Sequence, residues 1–138
     1  MAQKVTADTN VYISALSFGG IPERILQLAR AGALDLAISD VILLEIERVL
    51  ALKFHWASAP LRDALLEIAT YTTRVQPIER LDIVTADPSD NRILECAIEA
   101  HSEYIVTGDS HLLRVGDYRG ISILRPSDLL ELLRQRHV

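Results

Sequence analysis

Four acids in this chain fall where a strand ends or a helix begins: Asp8, Glu45, Asp90 and Asp109. Asp8 closes the β-prone run Val5-Thr6-Ala7 and is followed by the small hydrogen-bonding residues Thr9 and Asn10. Asp109 follows Gly108, just after the apolar run Tyr104 to Thr107. Asp90 sits in the first turn of the helix feeding that run, behind Asp87-Pro88-Ser89, and Glu45 about a turn and a half into an earlier helix. Gathered at one edge, such carboxylates would bind a hard cation, since Mg²⁺ and Mn²⁺ prefer carboxylate oxygen and water and leave positions for a substrate phosphate. Without a cation the grouping is unfavourable. Two like charges about 5 Å apart repel by roughly 3 kcal/mol at an effective dielectric near 20.

Each acid also has a purely structural reading. Asp8 can cap a helix, and Glu45 can pair on the surface with Arg48. Asp87 reads as an N-cap ahead of Pro88, Asp90 as a charge favouring the helix dipole, and Asp109 as a turn residue. Glu47 lies about 200° around the helix from Glu45 and is not expected to share its site. His111 reads as a surface or packing residue, because no second histidine stands at a ligand spacing, and Cys96 as core.

The elements that must position these residues alternate in type. Strands are expected over Gln3–Ala7, Leu34–Ile38, Arg74–Ile78, Tyr104–Thr107 and Ile121–Leu124, with Ile83-Val84 also extended. Helices are expected from Asn10 to Phe18, from Pro22 towards Gly32, from Ser39 or Asp40 to Lys53, over Leu61–Tyr71, over Asn91–Ala100 and over Pro126–Arg136, with a brief helical turn at His111–Leu113. That alternation implies right-handed crossovers and a parallel sheet covered by helices on both faces. In such a sheet the carboxyl ends of the strands line the ligand crevice, so acids there can converge.

Composition narrows the function. The 138 residues suit one domain, 1–138, and carry 49% hydrophobic residues but only 5% aromatics. That apolar weight leaves room for an exposed patch and a partner. Charges interrupt the apolar runs before they reach membrane-spanning length, and Met1-Ala2-Gln3-Lys4 leads straight into a strand, so a cytoplasmic protein is expected. A single cysteine excludes a disulfide framework and a thiolate zinc site. The net charge of −5 argues against a broad basic surface for nucleic acid, although metal ions would neutralise acids in a working site.

In order and spacing, Val5 to Val11, Ser39 to Glu47, Asp87 to Ala97 and Tyr104 to Leu113 resemble a PIN domain, specifically a VapC-like toxin. The Asp-Pro-Ser-Asp and Thr-Gly-Asp forms are similar to the branch described as PIN-family toxins. The resemblance implies an α/β three-layer sandwich with a central five-stranded parallel sheet of order 3-2-1-4-5. It implies a Mg²⁺- or Mn²⁺-dependent ribonuclease and an antitoxin partner; the high aliphatic content and the closing helix also suit a homodimer. Asp8, Glu45, Asp90 and Asp109 take the places of the family's acidic residues, as catalytic groups and metal ligands. Thr9, Asn10 and Thr107 flank them and would orient carboxylates or water; Asp87 is either a cap or an outer group. Gly108 stands where the family often has an arginine. Arg24, Arg48 and Lys53 are candidates for phosphate contact or for a solvated face.

Other acid-ended α/β folds fit less well. Receiver and dehalogenase-like domains need a lysine near a late strand end, and the chain's two lysines, Lys4 and Lys53, are not there. A nucleotide fold needs a glycine-rich phosphate loop, and Gly19-Gly20 is isolated. The alternative from another class is a catalytically weak PIN scaffold acting through protein contacts.

Overall fold

A computed structural model describes residues 2–136. Five parallel strands form the sheet's body. They are β1 (Gln3–Ala7), β2 (Leu34–Ile38), β3 (Thr72–Arg74), β4 (Tyr104–Val106) and β6 (Ile121–Leu124). The short β5 (Asp117–Tyr118) pairs antiparallel with β6 through Gly120, so the order is β3-β2-β1-β4-β6-β5. The sheet therefore has six strands rather than the five expected, its parallel members following the expected sequence. The extra strand is a two-residue hairpin edge, too short to show an apolar alternation.

The helices are α1 (Thr9–Phe18), α2 (Gly20–Arg30), α3 (Asp40–Leu52), α4 (Ser58–Tyr71), α5 (Asp90–Glu99), α6 (Ser110–Val115) and α7 (Pro126–Arg136). Val5 and Ala7 of β1, Leu36 and Ile38 of β2 and Ile105 of β4 are sealed on the sheet. Tyr12, Ile25, Leu26, Ile42, Ile46, Leu50, Leu94 and Leu112 pack over it from the helices. Alternating polar and apolar surfaces would mark a half-exposed sheet; β1 from Val5 onward and β2 apart from Asp35 are instead buried, as strands covered on both faces must be.

Helix starts carry the expected signals. The Ser39 side chain accepts the Ile42 N–H at 3.4 Å, and Gly19 ends α1 at φ +76°, a backbone region costly for other residues. Pro60 sits in the first turn of α4, where its missing N–H is harmless, so the break after α3 is confined to the residues before Ser58.

Between β3 and α5 the reading changes most. The expected strand at Arg74–Ile78 is shifted to Thr72–Arg74, with only the Val75 N–H continuing the ladder, to Ile38 O. Ile83 and Val84 are not a strand at all. Their N–H groups are both taken by the Asn91 side-chain oxygen, at 2.8 and 2.9 Å. Asn91 also donates to Val84 O and Pro88 O. One and two turns later, Glu95 accepts from Leu81 N and Glu99 from Ile78 N. Side chains at successive i+4 positions of α5 thus replace a neighbouring strand, satisfying backbone that burial would otherwise penalise.

Candidate metal centre

Asp8 and Asp109 leave the sheet at the carboxyl ends of β1 and β4, adjacent strands on either side of the point where strand order reverses. The Asp8 N–H is fixed on Val106 O at 2.9 Å. Its Oδ2 accepts the Thr107 hydroxyl at 2.7 Å, and the same Thr107 Oγ1 accepts the Asp109 N–H at 2.9 Å. Thr107 is fully buried and links the two acids. Asp109 turns its Oδ1 back on the start of α6, accepting the His111 and Leu112 N–H groups.

Asp90 arrives from the opposite wall, on the first residue of α5. Asp87 is not the N-cap of α5. Its carboxylate caps the tight turn ahead of the helix, accepting from Ser89 N and Ser89 Oγ, while Asp90, Asn91 and Arg92 bond back three residues. Pro88 and Ser89 occupy that turn and delay the helix to Asp90. Asp90 is only 3% exposed, and its Oδ2 has no hydrogen-bond partner among the described residues. Burial, and then the charges of Asp109, Asp87 and Asp8, push its pKa up to about 7. Asp8 is raised too, chiefly by burial, against the lowering effect of the Thr107 bond.

These groups line one cavity of about 200 Å³. Its second wall is a stripe along α3: Val41, Glu45, Val49 and Lys53, spaced four apart and so stacked on one helix face. Glu45 is on this wall with its carboxylate held by Arg48 at 3.2 Å, so the surface-pair reading and the cleft position are both true of it. Glu47 faces away, into the groove between α3 and α4. Thr9 and Asn10 border the cavity beside Asp8, Thr9 buried and Asn10 exposed. Lys53 closes the stripe about 12 Å along the helix from Glu45. Arg24 lies in a different depression, between α2 and α7.

The model of the PIN domain matches residues 4–111. The chain belongs to the PIN domain family. No curated protein matches the sequence. Among solved structures, the chain is similar to PAE2754 from Pyrobaculum aerophilum. There the TM-score is 0.62 and the identity 17%, over 97% of this chain and 90% of that one. It is also similar to VapBC2 from Rickettsia felis, solved with a DNA fragment from the promoter. That match has a TM-score of 0.59 and 16% identity, over 88% of this chain and 97% of that one. At such identities the likeness is one of fold.

PIN domains are generally nucleases and typically bind divalent metal, and the residues of this one fit such an ion. A buried carboxylate oxygen without a partner, ringed by three further acids, is costly unless a cation or a proton compensates it. His111, read as surface or packing, is part-exposed with Nδ1 3.4 Å from Asp109 Oδ1. One contributor escaped the sequence reading. Asn91, read only as a helix residue, is the clamp that holds the segment carrying Asp87. The available signal was the polar stripe Asn91, Glu95, Glu99 at helical spacing, beside a stretch with no pattern of its own.

Proposed function

We propose that this PIN domain is a Mg²⁺- or Mn²⁺-dependent endoribonuclease, the toxin of a toxin–antitoxin pair. The observation that carries the proposal is the convergence of Asp8, Asp90 and Asp109 on one cleft around the partnerless buried oxygen of Asp90. Asp90 and Asp109 would hold the ion, with Asp8 beside them. When bound, a divalent ion supplies Lewis acidity toward the phosphate and lowers the pKa of the attacking water.

The chain's own residues do the rest. Thr107 fixes the rotamer of Asp8 and the backbone of Asp109, so the two carboxylates need little reorganisation as charge develops. Glu45, Thr9 and Asn10 border the space where water and substrate would sit, and Glu45 would orient the water. Asp87, one residue before the turn, adds negative charge and holds the approach to Asp90. Lys53 would meet a phosphate further along the strand.

A protein partner belongs to the same proposal, since the similar VapBC2 is a two-component assembly. A groove between α3 and α4, lined by Leu43, Leu44, Leu61, Leu65 and Leu66, offers the apolar surface for an antitoxin or for a homodimer. Leu44 and Leu66 are both largely exposed there. Among the described residues no helix is long and apolar enough to cross a membrane.

The test is cleavage of a labelled RNA in Mn²⁺ or Mg²⁺. Loss on EDTA treatment and in Asp8→Asn supports the nuclease. Cleavage indifferent to both sinks the site, and a folded protein that binds no metal at millimolar concentration returns the scaffold reading.

A further inference from the structure

One carboxylate oxygen each of Asp90 and Asp109 and one ring nitrogen of His111 all lie within 4.8 Å of one another. Two of the three are carboxylates of the kind any Mg²⁺ site uses; the third is an imidazole, which Mg²⁺ has little use for. His111 is anchored for the role. Its backbone N–H is bonded to Asp109 Oδ1 at 2.7 Å, and its ring nitrogen stands 3.4 Å from the same oxygen. His111 lines a depression beside residues 83–86 and reaches the acids through Asp109. A separate observation points to a ligand at this spot. Asp90 is almost wholly buried, and Oδ2 finds no donor among the described residues.

We propose that His111 is a direct nitrogen ligand of the ion held by Asp90 and Asp109, and that this nitrogen makes the centre select Mn²⁺ over Mg²⁺. The inference rests on the reading of this cleft as a metal centre. Imidazole nitrogen favours transition metals, whereas carboxylate and water oxygen suit Mg²⁺ as well as Mn²⁺. Ligands of one small ion at about 2.1 Å are at most about 4.2 Å apart, so a modest side-chain adjustment closes the observed spread. Asp109 is the N-cap of α6 and His111 lies in the helix's first turn, so the pair is delivered as a unit.

The experiment uses the full chain and Mn²⁺ alone, without RNA. Pulsed EPR of the Mn²⁺-loaded protein should show ¹⁴N coupling of a directly bound imidazole, absent in His111→Ala. Titration followed by free-Mn²⁺ EPR should show His111→Ala losing at least about tenfold in Mn²⁺ affinity, with Mg²⁺ competition changed far less. Bound Mn²⁺ without nitrogen coupling overturns the inference, as does an equal loss of both metals in His111→Ala. If Mn²⁺ then still depends on Asp90, shown with Asp90→Asn, the metal centre survives and only the histidine's role is lost. If the wild-type protein binds no Mn²⁺, the proposed centre falls with it.

Discussion

Asp8 and Asp90 reach the same cleft through different kinds of support. Asp8 is delivered by the sheet: its backbone joins the β1–β4 ladder, and a buried threonine from the next strand end fixes its carboxylate. Asp90 is delivered by side chains of its own helix, which tie down an irregular segment with no strand or helix of its own. Arg92 reinforces that tie, bonding both Leu81 O and Glu95. The difference shows in what each carboxylate lacks. Asp8 has a hydroxyl to neutralise part of its burial cost, while Asp90 has an orphaned oxygen and three acids facing it. One half of the cleft is braced by hydrogen bonds, and the other holds a buried carboxylate that the described residues leave uncompensated.

The largest effects should come from removing either charge. Asp8→Asn and Asp90→Asn are each expected to lower RNA cleavage at least about 100-fold, roughly 3 kcal/mol of barrier. Single-turnover rates at saturating Mn²⁺ would check this, and near-wild-type cleavage by either variant would remove that acid from the centre. Next comes the clamp. Asn91→Ala deletes a buried amide that satisfies two N–H and two C=O groups. Leaving them unmet should cost about 3 kcal/mol of stability, read from urea unfolding. Hydrogen exchange should then rise at the Ile83 and Val84 amides and leave Asp8 protected; a uniform rise across the sheet would mean that the two halves are not separately supported.

The same contrast explains what was legible in the sequence. Asp8 and Asp109 could be read because strands declare themselves by apolar runs, and a residue just past the end of a parallel strand must reach the crevice. Strand order was not legible from the runs themselves; the resemblance to PIN domains supplied it and placed Glu45 and Asp90 in register. The segment before α5 was illegible for a physical reason. Ile83 and Val84 have the composition of a strand, yet their partner is one asparagine side chain, and propensity carries no information about that. Asp87 misled similarly, since its carboxylate caps a turn that only resembles the helix start. His111 was read as a surface or packing residue, and its side chain is part-exposed; its approach to the Asp109 carboxylate two residues earlier is a tertiary detail that residue spacing does not carry.

A smaller effect arises from the raised pKa of Asp90. In the unfolded chain its carboxyl ionises near 3.8, and in the metal-free fold near 7. Between those values the native state holds the proton more tightly, so stability falls as pH rises through this window and the penalty is complete above about 7. Asp8 is shifted in the same direction. In EDTA, Asp90→Asn should therefore melt several degrees above wild type at pH 8, and the gap should shrink as pH falls toward 4. Excess Mn²⁺ should close or invert it by stabilising the wild type alone. A gap independent of pH would show that the ionised carboxylate is not what the fold resists.

The smallest expected change sharpens the comparison most, because it touches only the joint between the sheet-borne acids. Thr107→Val keeps shape and burial but removes both the donor to Asp8 Oδ2 and the acceptor for Asp109 N. Cleavage should fall about tenfold, near 1.4 kcal/mol, with stability lower by about 1–2 kcal/mol for the unmet buried groups. Thr107→Ser restores the hydroxyl and should recover most of the rate. Because Thr107 supports Asp8 directly and Asp90 only through charge, its loss should raise the pH at which cleavage begins while leaving the exchange rates of Ile83 and Val84 unchanged. The rise in pH has the sign of the lost bond: a donor taken from a buried carboxylate lets burial raise its pKa further. A rate loss in Thr107→Val that serine fails to recover would assign Thr107 to packing alone, and the rigidity of the Asp8 half would then rest on the backbone ladder.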